Sequence, residues 1–217
     1  MIDPQEVASR VAVLREEIRH LSTAHVAIIA VTKTFPREAW HVAHAAGCDG
    51  VGENYAQELL EKIHDGPSPL PVHFIGAIQS NKVKSLAPHV ALWQGVDRTS
   101  VINEIARRAP GASVLLQVNT TREQSKSGVS MDGVDALREQ AVAAGLVVRG
   151  LMTLGPTTGT DDEIRQSFRA LRSLADAHHL VECSMGMSND YRIGLECGST
   201  MIRVGSLLFG ARKPASA

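Results

Sequence analysis

VAIIAVTKT, residues 26–34, is a continuous apolar and β-branched run that ends in a polar turn carrying Lys33. Continuous apolar runs are typical of parallel strands that are covered on both faces, whereas half-buried strands alternate apolar and polar residues. The same unit of apolar run, polar turn and helical spacing recurs along the chain. We predict strands at VAIIAV (26–31), DGVG (49–52), VHFIG (72–76), VALWQGV (90–96), SVLLQVN (113–119), LVVRGLM (146–152), LVECSMG (180–186) and MIRVG (201–205).

Eight strands that alternate with helical segments leave two architectures, an open doubly wound sheet or a closed (β/α)₈ barrel. A dinucleotide-binding open sheet would carry GxGxxG after its first strand, and TKTFP follows here instead. We therefore predict an α/β fold: a single (β/α)₈ TIM barrel over residues 1–217, with its core at about 24–210. Asp3 before Pro4 predicts an extra N-terminal helix, and KPASA (213–217) predicts a frayed tail. The other predicted helices span 36–46, 54–64, 80–87, 98–109, 130–144, 161–177 and 188–197.

The composition argues against several classes of function. The 217 residues are 44% apolar and 21% charged with a formal net charge of -1, and a nucleic-acid partner usually requires a basic excess. Nowhere do eighteen apolar residues run together and the N-terminus is amphipathic, so we expect neither a membrane span nor a secretory leader. The histidines form no HExxH and the cysteines no CxxC, so we expect no metal site and reduced cysteines. These patterns predict a soluble cytoplasmic protein.

The chemistry of a barrel gathers at the C-terminal ends of its strands. Lys33 falls two residues past the first run, where partial burial favours the uncharged amine that condenses with an aldehyde. Taken alone, such a lysine is more often a solvated loop residue. Glu53, at the end of the second run, either orients a neighbouring group or caps a helix. Trp93 and His73 are assigned to packing.

The loops after the last two strands have the composition of a phosphate cradle. SMGMSND (184–190) and RVGS (203–206) stand where barrels commonly bind phosphate. Their glycines allow close backbone approach, and Ser188 and Ser206 can add hydroxyl donors. Ser188 is also a plausible N-cap of the helix that follows it. A lysine opposite such a cradle predicts a site for a phosphorylated aldehyde.

Seven motifs follow one another in a recognisable order: AVTKT, GVGENYAQE, HFIGAIQSNK, LLQVNT with SKSG, GLMTLG, SMGMSND and RVGSLLFGAR. Together they resemble the YggS/PROSC family of pyridoxal 5′-phosphate (PLP) homeostasis proteins, which look like the barrel domain of alanine racemase standing alone. The resemblance covers about residues 5–212. It implies an alanine racemase N-terminal-domain-like TIM barrel that binds PLP.

Carried over by position, the resemblance implies that Lys33 holds PLP covalently as a Schiff base. It implies that Ser188, Gly205 and Ser206 hold the phosphate. The expected partners are PLP and the apo forms of PLP-dependent enzymes, with no nucleic acid and no membrane. We expect the chain to be a monomer or a weak homodimer.

The remaining positions of the resemblance surround the ring of the cofactor. Asn54 would lie near the ring substituents, Met152 would pack beside the ring, and Arg203 would face the pyridine nitrogen. Lys126 in SKSG matches a lysine that the family places close to the site, without a settled role.

The chain departs from the common family pattern at two positions. Phe35 stands where many members have a second lysine, and Ala77 where many have a histidine. We therefore expect no mechanism that requires either side chain, such as relay of the cofactor through a second lysine, while Lys33 is unaffected.

Two hypotheses of different class follow, a PLP carrier and a PLP-dependent amino-acid racemase. Arg203 is a permanent cation and disfavours the protonated ring that carbanion chemistry uses, although alanine racemase itself works with such an arginine. The second acid–base group of alanine racemase is a tyrosine of a C-terminal β domain, which neither Tyr55 nor Tyr191 matches, and we expect the chain to end with its barrel. We therefore predict a carrier without catalytic residues. A phosphate-sugar barrel enzyme with a Schiff-base lysine is a third alternative, but such lysines usually lie on later strands.

Overall fold

The continuous apolar runs form the strands of a closed parallel barrel. The computed structural model describes residues 2–121, 123 and 125–210. Its strands are β1 (Ala27–Val31), β2 (Gly50–Glu53), β3 (Val72–Phe74), β4 (Leu92–Val96), β5 (Ser113–Asn119), β6 (Val129–Ser130), β7 (Val147–Met152), β8 (Glu182–Met187) and β9 (Met201–Val204). Each of the eight predicted runs overlaps one strand, and only the short β6 was not predicted.

Strand pairing tests the predicted barrel against the open sheet. The neighbours run β4-β3-β2-β1-β9-β8-β7-β5, and a further β4–β5 pairing closes the ring, with every pairing parallel. The prediction of a (β/α)₈ barrel is therefore confirmed, and the open sheet is wrong. β6 only extends β5 at the mouth of the barrel.

Helices cover the outside of the barrel. They are α1 (Pro4–Leu21), α2 (Glu38–Ala45), α3 (Ala56–His64), α4 (Ser80–Leu86), α5 (Thr99–Arg108), α6 (Val134–Ala143), α7 (Asp161–Ala177), α8 (Tyr191–Glu196) and α9 (Ser206–Phe209). The extra N-terminal helix is confirmed, because the Asp3 side chain caps α1 by accepting from the backbone N–H groups of Gln5 and Glu6. The helix predicted from residue 130 begins only at Val134, after β6 and a 3₁₀ turn. The short helix α9 was not predicted.

The core has two layers, as strand alternation requires. Ile28 and Ala30 belong to the large apolar cluster between the barrel and its helices. A smaller cluster fills the barrel interior, with Ile29, Leu92, Leu115, Met152 and Met201. Trp93 is fully buried in the outer layer, as predicted.

The described residues also bear on the expectations about membranes and cysteines. Within them, no helix combines the length and apolarity needed to cross a bilayer. Cys48, Cys183 and Cys197 are buried and unbridged, and burial raises the pKa of the Cys48 and Cys183 thiols to about 12. The predicted frayed tail (213–217) and the last two residues of RVGSLLFGAR lie outside the described residues.

Candidate functional site

The seven predicted site residues gather at one end of the barrel, on five neighbouring strands. Parallel strands all point their C-terminal ends the same way, and β2, β1, β9, β8 and β7 are consecutive neighbours. The residues at or just beyond the ends of these strands are Asn54, Lys33, Arg203, Gly205, Ser206, Ser188 and Met152. The barrel therefore places the lysine between the asparagine and the glycine–serine pair.

The glycine–serine segment after β9 forms the N-terminus of α9. Ser188 Oγ accepts hydrogen bonds from the backbone N–H groups of Gly205 and Leu207, each at 3.2 Å. The alternative role of Ser188, as N-cap of the helix following it, is wrong, because Asp190 holds the N-cap position of α8. A Cβ on Gly205 would lie 3.1 Å from the carbonyl oxygen of Val31. Glycine thus lets α9 approach the end of β1, beside the Lys33 turn.

Arg203 is a buried cation inside the barrel mouth. Its guanidinium donates to Ser184 Oγ at 2.5 Å and to the carbonyl oxygen of Thr153 at 2.8 Å. Burial lowers the pKa of Arg203 to about 10, and the charge of Asp190 opposes this shift. The side chain therefore remains a cation at neutral pH.

A chain of hydrogen bonds crosses the barrel from Arg203 to His73. Ser184 Oγ donates to Gln94 Oε1 at 2.7 Å, and Gln94 Nε2 donates to His73 Nδ1 at 2.8 Å. β9 and β4 lie opposite each other in the ring, so the chain links the two sides of the interior. It fixes the orientation of Arg203, and it requires a neutral His73 whose Nδ1 accepts.

His73 makes the stability of this interior dependent on pH. Burial, assisted by the charge of Arg149, lowers the pKa of His73 from 6.5 to about 4. Between these values the unfolded chain binds the proton and the folded chain does not, so stability falls as pH falls through this window. The difference amounts to roughly 3 kcal/mol at most. Between pH 7 and pH 4 we therefore expect the unmodified chain to lose more unfolding free energy than His73→Gln, by about this amount. The measurement is urea unfolding at the two pH values.

The control for this prediction is His41→Gln on the exposed face of α2. It should keep the acid sensitivity of the unmodified chain. An equal acid-induced loss in the unmodified chain and in His73→Gln would contradict the assignment.

Asn54 connects the site with a groove of about 400 Å³ between the β2–α3 and β3–α4 loops. Among the described residues, Asn54 Oδ1 is a buried acceptor without a hydrogen-bond partner. The groove is also lined by Tyr55, Ala77 and Lys82, and of the seven predicted residues it contains Asn54 alone. It therefore lies beside the arc of strand ends rather than at its centre.

Lys126 and Phe35 connect loops around the mouth. Lys126 Nζ donates to the carbonyl oxygen of Gly155 and lies 3.0 Å from Glu123 Oε1, so it bridges the loops after β5 and β7. Its hydrogen bond is the main cause that lowers the pKa of Glu123 to about 2. The Phe35 ring lies against Phe209 of α9, with the centroids 5.0 Å apart. Where the family pattern has a second lysine, this chain has an apolar contact.

Sequence reasoning missed the buried partners of Glu53. This carboxylate caps no helix. Instead it accepts from Lys62 of α3 at 2.7 Å. Lys62 lies three residues after buried Leu59, which puts a lysine on the apolar stripe of α3. A lysine at that position was the sequence signal that could have identified Lys62 as a buried partner of a carboxylate.

Comparison with known proteins places this arrangement in context. The family model described as alanine racemase, N-terminal domain, matches residues 2–213. A Pseudomonas aeruginosa protein named pyridoxal phosphate homeostasis protein is 37% identical over 220 residues, 95% of this chain and 96% of that protein. PipY of Synechococcus elongatus, solved with PLP bound, is 32% identical with a TM-score of 0.83, covering 94% of this chain and 100% of PipY. Alanine racemase of Corynebacterium glutamicum shares the fold, with 17% identity and a TM-score of 0.76 over 100% of this chain and 63% of the racemase.

Proposed function

The chain belongs to the pyridoxal phosphate homeostasis proteins of the alanine racemase N-terminal-domain family, and on that premise we propose that it binds PLP on Lys33 and releases it to other proteins without catalysis. The observation that carries the proposal is the arc of strand ends that brings Lys33 beside the N-terminus of α9. PipY, a relative at 32% identity, has been solved with PLP bound.

The phosphate half of the site fits this ligand. Two backbone N–H groups, of Gly205 and Leu207, converge on one acceptor, the Ser188 hydroxyl. A phosphate oxygen is a stronger acceptor for such donors at a helix N-terminus. In this proposal Ser188 and exposed Ser206 turn their hydroxyls to the phosphate, while Gly205 keeps the backbone accessible.

The ring half of the site fits as well. Buried Arg203 supplies a fixed cation opposite the pyridine nitrogen, and Asn54 Oδ1 supplies an unpartnered acceptor for a donor on the ligand. Met152, on the inner face of β7, provides the apolar floor. When bound, PLP supplies an aldehyde that Lys33 holds covalently as a Schiff base.

The racemase alternative is disfavoured by the charges and contacts of the site. Arg203 remains a cation at neutral pH and works against protonation of the ring nitrogen, which an electron sink needs. Tyr191 donates its hydroxyl proton to Glu17 of α1 at 2.5 Å, outside the barrel. Tyr191 is therefore not placed to act as the second acid–base group on a bound amino acid.

The proposal also covers the domain organisation of the chain, its partners and its cellular compartment. Residues 1–217 act as one PLP-binding domain, the recipients are apo forms of PLP-dependent enzymes, and the compartment is the cytoplasm. The three buried unbridged cysteines support a reducing compartment. The oligomeric state expected is a monomer or a weak homodimer.

We expect the protein loaded with PLP to reactivate an apo-aminotransferase while leaving L-alanine unchanged. We expect transfer because the site lies at the mouth of the barrel. We expect no turnover because Arg203 opposes protonation of the ring nitrogen and Tyr191 is bonded to Glu17 outside the barrel. A site without a second acid–base group forgoes roughly 10²–10⁴-fold in rate. The measurements are recovered aminotransferase activity, and chirality and α-proton exchange of L-alanine in deuterated water.

The matched control is the same protein after borohydride reduction, which cannot release its cofactor and should not reactivate the recipient. Slow α-proton exchange without inversion is compatible with Lys33 acting on one face only. Inversion at about one turnover per second or faster, an ordinary enzymatic rate, would make the protein a racemase.

A further inference from the structure

A buried ammonium group lies under the turn that carries Lys33. The side chain of Lys62, on α3, is only 6% exposed. Its Nζ donates to the carbonyl oxygen of Thr32 at 2.8 Å and to Glu53 Oε1 at 2.7 Å, and it lies 2.7 Å from Glu58 Oε1. An ammonium has three N–H donors, and three acceptors surround this one.

Glu53 joins this ammonium to the end of β1. Its Oε1 also accepts from Thr32 Oγ1 at 2.7 Å and from Trp40 Nε1 at 3.0 Å. Burial raises the pKa of Glu53 and the Lys62 charge opposes that rise. Through its hydrogen bonds Thr32 contacts Trp40 of α2 and Lys62 of α3, so the residue immediately before Lys33 is held against these two helices.

Glu58 holds the other side of the lysine. Its Oε1 accepts from the backbone N–H of Thr34 at 2.6 Å. Thr34 has a φ of 68°, a left-handed conformation that a β-branched residue rarely adopts. Such a conformation persists only where the surroundings impose it. Both neighbours of Lys33 are therefore tied to one buried cluster, the Lys62 cluster, formed by Lys62, Glu53, Glu58, Thr32 and Trp40.

Stability alone does not account for a buried cluster of this kind. Replacing buried ion pairs by well-packed apolar residues is often neutral or stabilising. The contacts of this cluster converge on the backbone on either side of one reactive lysine, which is what a positioning device requires.

We propose that Lys62, Glu53 and Glu58 are positioning residues. Together they hold the Thr32–Thr34 turn so that the Lys33 amine meets the aldehyde of its ligand. This rests on the proposed function. Linkage forms when the lone pair of the Lys33 amine attacks the aldehyde carbon and water leaves, and such a step is sensitive to misplacement of the order of 1 Å. The cluster touches neither reacting atom and acts through the backbone.

Glu58→Ala is the decisive variant, because Glu58 is 21% exposed and its loss should not unfold the barrel. We expect the apo form of this variant to become yellow on addition of PLP about 10- to 100-fold more slowly than the unmodified chain. We expect Lys62→Met to behave in the same way. Glu58→Gln keeps a carbonyl acceptor for the Thr34 N–H and should restore most of the rate.

The matched control is Glu104→Ala on α5. Glu104 is 17% exposed and pairs with Arg108 four residues later, as Glu58 does with Lys62. This variant loses a comparable helical ion pair and should load PLP at the rate of the unmodified chain. If PLP loading were slowed equally in Glu104→Ala and Glu58→Ala, the slower loading would reflect a general loss of stability. That result would overturn the proposal.

A second readout does not depend on PLP. Hydrogen exchange of the Thr34 amide in the apo protein should be at least about tenfold faster in Glu58→Ala than in Glu104→Ala, since only the former loses the acceptor of that amide. If the unmodified chain never takes up PLP, the proposed function fails. Hydrogen exchange of the Thr34 amide then still tests whether the Lys62 cluster holds the turn. Unchanged exchange at Thr34, or faster exchange with unchanged loading, would overturn the positioning role.

Discussion

Lys33→Ala is expected to prevent both covalent retention of PLP and the yellow colour that we expect a Schiff base of PLP to give the unmodified protein. Lys33 is the lysine that lies just past β1, between Asn54 on one side and the N-terminus of α9 on the other. Without its amine the ligand has no covalent bond to the barrel, and only the noncovalent contacts to its phosphate and its ring remain. The variant should therefore bind PLP weakly and reversibly, as equilibrium dialysis and visible absorbance would show.

The control for this experiment is Lys82→Ala, which removes a lysine from the neighbouring groove. It should remain as yellow as the unmodified chain. Borohydride reduction of the unmodified protein, followed by peptide mass analysis, should place the label on the peptide that contains Lys33. A label on another lysine, or a yellow Lys33→Ala protein, would refute the assignment.

The second large effect is expected from the double substitution Ser188→Ala and Ser206→Ala. Each hydroxyl bonded to a charged phosphate contributes about 1.5–3 kcal/mol, which is roughly ten- to a hundredfold in affinity. Together the two losses should weaken PLP binding by about 10²–10⁴-fold if they are independent. The measurement is the dissociation constant of PLP at equilibrium.

The two single variants separate binding from stability. Ser206 is exposed, so Ser206→Ala should lower the affinity and leave the unfolding free energy unchanged. Ser188→Ala also removes the acceptor for the Gly205 and Leu207 N–H groups, at a cost of about 0.5–2 kcal/mol in stability. Ser85→Ala, on the exposed side of α4, should change neither quantity. An unchanged dissociation constant in the double variant would move the phosphate site elsewhere.

The position of the proposed site could be predicted because it depends on local sequence and strand direction. An apolar run followed by a polar turn marks the end of a parallel strand, and all such ends meet at one face. Lys33, Asn54 and Arg203 were placed in this way. The identity of the ligand class came from the motifs around Lys33 and Ser188 and from the family that they indicated.

The contacts within the site could not be predicted in the same way. For Ser188, capping of the next helix was the alternative to phosphate binding, but its oxygen accepts hydrogen bonds from N–H groups at the start of α9, 17 and more residues away. Glu53 was expected to orient a neighbour or to cap a helix, and it is instead buried against Lys62. In both cases a short-range rule competed with a partner that only the folded barrel supplies.

The sequence by itself determined the fold class and the face of the barrel that carries the candidate site, because apolar periodicity and strand direction are properties of consecutive residues. Tertiary structure alone decided which side chains meet. Ser184 and Gln94 are 90 residues apart and bond only because closure of the ring brings β8 and β4 around one interior. The turn at Lys33 is held in the same way by a lysine 29 residues later, whose charge is buried only once α3 packs on β1 and β2. Such pairings depend on closure of the barrel, and closure is a property of the whole chain.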